Sequence, residues 1–264
     1  MNKNSGFIRK TLGILTPIIS YRIIDLLVVL LGATLLKNSM AEAGWIGEIS
    51  RNYRGTITVF IKAIALICAG GFILPLFIKE TPVIYEKRNS IRRIILCIFL
   101  GIGLSIFVNI LFSLTGFTGS SEAYEEVSKS QYSFNIVQGI IIYGIISPLT
   151  EEILFRGIIY NRLRRDYGLW AGLIFSPLLF GVFHGNLVQT VYGFVLGLFI
   201  TWIYERYGAF VYPYLVHAFA NIAVYTVMQL QLFSEPLVLK EALIISGLLT
   251  IFTIYFIGAD NADS

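Results

Sequence analysis

The chain reads as an all-α, polytopic membrane bundle of about eight transmembrane helices. Three observations predict it. Of 264 residues, 56% are hydrophobic and only 14% are charged; apolar runs near the roughly 20 residues that span hydrocarbon recur along the whole length; and the ionisable residues inside those runs come in clusters. A soluble domain of this length could not cover so much apolar surface.

The spans are predicted near residues 12–36, 56–78, 94–115, 136–160, 169–185, 187–204, 209–230 and 237–258. The first run is too long for the apolar part of a signal peptide and has no small-residue cleavage pattern behind it, so it is expected to remain as a span. Cys68 and Cys97 stand alone in the second and third runs, where packing thiols are expected rather than a disulfide or metal pair. The polar stretch from Gly119 to Gln131 is expected to be an exposed loop or short interfacial helix. The expected organisation is 1–135 for three amino-terminal spans, 136–230 for a four-span core, and 231–264 for a last span and short tail.

Lysine and arginine counts set the expected orientation. With the amino terminus in the cytoplasm, that side collects twelve of the twenty basic residues, Lys87, Arg88, Arg162, Arg164, Arg165 and Arg206 among them; five fall on the other side and three within spans. A multi-pass protein of the cell membrane with both termini cytoplasmic is therefore expected. The net charge of +4 follows from this bias, so anionic lipid headgroups are the expected partners and nucleic acid is not needed.

The fourth span carries the sharpest signal. Ionisable groups inside a span are costly unless they pair or face a cavity, which makes each a functional-site hypothesis. Glu152 and Arg156 are four apart, lie on one helix face and can neutralise each other. Glu151 is then the unpaired carboxylate and the candidate general base. The chain's two histidines complete the set. Phe180 lies one turn below His184, and His217 and Asn221 share a face of the seventh span, supplying two side-chain hydrogen-bond donors in one direction.

Depth brings these positions together. The fourth and fifth spans must be antiparallel across Asp166-Tyr167-Gly168, with Glu151 15 residues before Asp166 and His184 18 after it. At about 1.5 Å per residue they differ in height by only about one helical turn, and His217 and Asn221 come within reach of the same level. Pro148, Pro177 and Pro213 sit just ahead of Glu151, His184 and His217, where a kink is tolerated if the freed carbonyls face protein or water. Ser147-Pro148 could start a fresh half-helix, placing Glu151 in its first turn.

The ordered triplet Glu-Glu-x-x-x-Arg, Phe-x-x-x-His and His-x-x-x-Asn, on separate spans, resembles the CAAX protease and bacteriocin-processing (Abi) family of intramembrane endopeptidases. The resemblance covers about residues 136–228. It implies that Glu151 is the catalytic glutamate, Glu152 and Arg156 its supporting pair, His184 a partner in water activation, and His217 with Asn221 the pair that stabilises an oxyanion. The implied partner is a peptide or protein substrate at the membrane. No cofactor is implied.

A zinc site is the competing mechanism, since two histidines and a glutamate form a known catalytic ligand set. No His-Glu-x-x-His occurs, and Asn221 suits an oxyanion donor better than a zinc ligand. A transporter would usually show inverted halves or paired broken helices, whereas these polar clusters lie in the second half of the chain. A non-catalytic immunity or partner-binding protein would keep the fold without needing Glu151 to ionise.

Overall fold

The computed structural model describes residues 3–80, 82, 90–233 and 235–260, and every regular element among them is a helix. The chain divides into two compact units, Met1–Glu80 and Thr81–Ser264.

The first unit is a hairpin of α1 (Lys3–Ala41) and α3 (Arg54–Lys79), joined by the short α2 (Trp45–Asn52). α1 packs along α3. Midway, Lys62 Nζ lies 3.3 Å from Asp25 Oδ1, so that these two charges inside apolar spans offset each other.

The second unit contains α4 (Ile91–Leu114), α5 (Glu122–Gln131), α6 (Ile136–Tyr167), α7 (Leu169–Val182), α8 (Leu187–Tyr207), α9 (Val211–Gln229) and α10 (Pro236–Ala259). α4 packs against both α9 and α10, and α7 against α8. Small residues allow this. A Cβ on Gly101 would stand 2.3 Å from the Val216 carbonyl oxygen, and one on Gly181 2.3 Å from that of Thr190, so backbone meets backbone as membrane helices favour. At one end of the unit, Arg93 Nε donates to Asp260 Oδ2 at 2.7 Å, and Arg206 donates to the carbonyls of Ile257, Gly258 and Asp260 at 2.7–2.9 Å. The last turn of α10 is thereby tied to α4 and α8, and its open carbonyls are satisfied.

Among the described residues seven helices are long and apolar enough to cross a membrane, and they coincide with seven of the eight expected spans. The chain is a multi-pass membrane protein. The expected span at 169–185 is the exception: α7 has 14 residues, about 21 Å of helix against about 30 Å of hydrocarbon. It stops short because the chain turns through Phe183–Asn186, with Gly185 at a positive φ of 80°, before α8 starts on the Asn186 cap.

The polar stretch forms α5, a short helix capped by Ser121 and carrying an exposed Glu125–Lys129 pair. Hydrogen bonding to Lys129 holds the Glu125 carboxyl below its ordinary range. Both cysteines are free; Cys97 is buried in the core and Cys68 faces outward from α3. Lys87 and Arg88, counted above toward orientation, lie outside the described residues.

Candidate active site

α6 positions the carboxylates, and its winding is irregular. It starts on an Asn135–Gln138 capping box, runs as π-helix over Ile140–Ile146, returns to α over Ser147–Glu152, is π again over Ile153–Tyr160, and ends as α. The expected half-helix at Ser147-Pro148 takes this form: the helix does not break, but its winding changes there. Proline supplies no N–H, so in the i→i+5 pattern of a π-turn the Tyr143 carbonyl loses its partner at Pro148. Asn221 Nδ2 fills that place, donating to Tyr143 O at 2.8 Å. The second π-segment is supported similarly. Ser176 Oγ donates to Phe155 O, and Asn161 Nδ2 to the carbonyls of Arg156 and Gly157, at 3.0–3.1 Å.

Glu152 is the hub of a sealed ionic cluster. Its Oε1 accepts from Arg156 at 2.8 Å and from His217 Nδ1 at 2.8 Å. The Glu152 and Arg156 side chains are both 0% exposed. Arg156 also donates to Gly197 O at 3.2 Å, and its guanidinium carbon lies 4.8 Å from the centre of the Phe180 ring. Glu152 Oε2 and Arg156 Nε make no hydrogen bond despite burial.

Glu151 faces another way. Ser147 donates to its Oε1, while Oε2 lies 4.0 Å from His184 Nε2 and 3.8 Å from His217 Nε2. His184 Nδ1 bonds the Phe180 carbonyl at 2.9 Å. A carbonyl only accepts, so Nδ1 carries the proton and Nε2 is turned toward Glu151. The same logic orients His217, whose Nδ1 faces a carboxylate. Phe180 holds both rings edge-on, with centroids 5.0 Å from His184 and 5.3 Å from His217.

Six of the seven expected site residues, Glu151, Glu152, Arg156, Phe180, His184 and His217, thus lie in one connected cluster, while Asn221, one turn beyond His217 on α9, bonds the Tyr143 carbonyl. The Glu152–Arg156 pair and the shared Phe180–His184 face were legible from spacing. Three features were not anticipated: His217 bonds Glu152 rather than facing Glu151 alone, Ser147 holds Glu151, and Asn221 spends one amide hydrogen on Tyr143. Ser147 had a visible signal, lying four residues before Glu151. Among the described residues no group of three or more His, Cys, Asp or Glu side chains is arranged to hold a metal ion.

The fold and the site together define a multi-pass membrane protein with a buried glutamate–histidine cluster between α6, α8, α9 and the turn after α7. Residues 133–223, which hold every one of these side chains, match the family described as Type II CAAX prenyl endopeptidase Rce1-like, and the resemblance read from the three motifs is carried by that segment. The protein YdiL of Bacillus subtilis (strain 168), named as a candidate membrane peptidase, is 29% identical over 155 residues, covering 55% of this chain and 60% of its own length. CAAX prenyl protease 2 of Homo sapiens is 31% identical over 97 residues, or 29% and 30% of the two chains. UPF0177 protein YxdF of Lactococcus lactis is 28% identical over 120 residues, or 45% and 62%. The matches cover between 30% and 62% of the curated relatives' lengths. No solved structure matches.

Proposed function

We propose that the chain is an intramembrane peptidase that hydrolyses a peptide bond in a membrane-associated or lipidated peptide, using water activated by Glu151. One observation carries the reading: Glu151 Oε2 stands 3.8–4.0 Å from two imidazole nitrogens. That spacing is too long for direct hydrogen bonds and suits one oxygen atom bridging the groups.

Glu151 takes a proton from water while His184 Nε2 orients it, and the oxygen attacks the substrate carbonyl. Negative charge then develops on the carbonyl oxygen, where His217 Nε2–H and the second amide hydrogen of Asn221 are the donors. With His217 protonated at both nitrogens, the charges of Arg156, Glu152, His217 and Glu151 sum to zero, which a low-dielectric site favours. The C–N bond then breaks, and Glu151 returns its proton to the leaving nitrogen. Similarity to the Rce1-like family and to proteins named as membrane peptidases supports the substrate class. The end of α6 with Arg162, Arg164 and Arg165, and the end of α8 with Arg206, are assigned to the cytoplasm together with both termini.

Membrane proteomics of cells carrying wild type or Glu151→Gln tests the reading. A membrane peptide that accumulates uncut in the variant is expected, at unchanged protein yield. Full function of Glu151→Gln would leave a non-catalytic partner-binding protein. In the metal-free mechanism, activity survives strong chelators and purified protein lacks stoichiometric zinc; chelator inactivation reversed by zinc would instead make Glu151, His184 and His217 ligands.

A further inference from the structure

We infer that α2 is an in-plane membrane anchor, whose apolar face is occupied by lipid at the boundary between headgroups and acyl chains. This rests only on the α1–α3 hairpin and is independent of the peptidase reading.

The eight residues of α2 sort into three sectors around the helix. Trp45, Ile46, Ile49 and the following Tyr53 fill an arc of about 100°, and all four are exposed, Trp45 at 72% and Tyr53 at 59%. Gly47 and Ser50 form the buried sector. Glu48, Arg51 and Asn52 make the polar one. An apolar arc beside a charged arc, in a short helix of low overall hydrophobicity, is the pattern of a helix lying in the interface plane. Trp and Tyr are the residues that favour headgroup level.

Two contacts fix which way the apolar arc faces. Arg51 donates to the carbonyls of Met40 and Glu42, at 2.6 and 3.4 Å, capping the end of α1. A Cβ on Gly47 would stand 1.9 Å from the Glu42 carbonyl oxygen, so glycine alone lets α2 fold against that end. The clamp leaves Trp45, Ile46 and Ile49 turned away from the hairpin. Lipid is the assigned occupant because the helices on either side are spans whose own outward residues are apolar. Leu31, Leu35, Phe60 and Ile64 are all exposed, so the α2 face continues a surface that already needs acyl chains.

The test uses the full chain with Trp170→Phe and Trp202→Phe, leaving Trp45 as the sole tryptophan, in phosphatidylcholine vesicles brominated near either the ester or the methyl end of the acyl chain. Greater loss of Trp45 fluorescence with bromine near the ester end, and weak quenching by aqueous acrylamide, are expected. Arg51→Gln is expected to reduce that depth preference. Stronger quenching by the deeper bromine would overturn the in-plane assignment. Loss with neither lipid would overturn the occupant, meaning water or a protein surface covers the face. If the double variant does not fold, a nitroxide on Ile49→Cys, with Cys68→Ser and Cys97→Ala, gives the same decision: contact with dissolved oxygen well above contact with a water-soluble nickel complex is expected, and the reverse overturns the assignment.

Discussion

Two adjacent carboxylates on α6 occupy opposite kinds of surroundings. Glu152 and the residues toward Arg156 are sealed, with a cation, an imidazole and an aromatic ring packed against them. Glu151 and the residues toward Ser147 are more open: the His184 side chain is 26% exposed, and Ser147 and Asn221 are half-buried. The sealed half holds charge in place, and the open half leaves a carboxylate oxygen facing two imidazoles. A protein that must keep ions inside a bilayer while keeping one of them reactive can divide the tasks between neighbouring residues. Variants in the sealed half should therefore reduce folded protein, and those in the open half should reduce turnover.

The largest effect is expected at Glu151. Glu151→Gln should lower cleavage by about 100- to 10,000-fold, the range supplied by a general base, with detergent-extracted yield unchanged. Glu152→Gln should do the opposite. Stranding Arg156 costs about 3–5 kcal/mol of stability, read as a lower melting temperature and folded yield; equal losses of yield from both variants would erase the distinction between the halves.

Asn221→Ala should lower turnover by about 100- to 1,000-fold, as for loss of one oxyanion donor, with substrate affinity little changed. An effect on yield alone would assign Asn221 to Tyr143 and the sealed half's kind of role. Ser147→Ala should be the mildest, about 10- to 100-fold, because a hydrogen bond to an ionised group contributes about 1.5–3 kcal/mol. Ser147→Thr should restore most of it, since the hydroxyl is kept.

Much of this was legible in the sequence because hydrophobic length and i,i+4 spacing are local. The spans, the Glu152–Arg156 pair and the Phe180–His184 face follow from counting residues. The 14-residue length of α7 did not, because an apolar run shows no boundary where a glycine turn ends the helix inside it. The bond from His217 to Glu152 was hidden too, since it depends on how α9 is rotated against α6, where Tyr225 packs on Gly139 and Ile222 on Gly144. The π-segments were the least visible. Their freed carbonyls are claimed by Asn221, Ser176 and Asn161, residues up to 78 positions away.

Those two π-segments let α6 hold more residues between its fixed contacts than regular winding would. Each behaves as a surplus residue absorbed into a wider turn, so deleting one position within Ile140–Ile146 would let regular α winding resume with the residues on either side keeping nearly the same faces. Tyr225, whose ring fills the space where a Cβ of Gly139 would be, would keep its place against the helix, and the Tyr143 carbonyl would lose the opening through which Asn221 reaches it. The same change within Ile153–Tyr160 would leave Arg164 near Glu205, to which it donates twice, and close the carbonyls that Ser176 and Asn161 now claim.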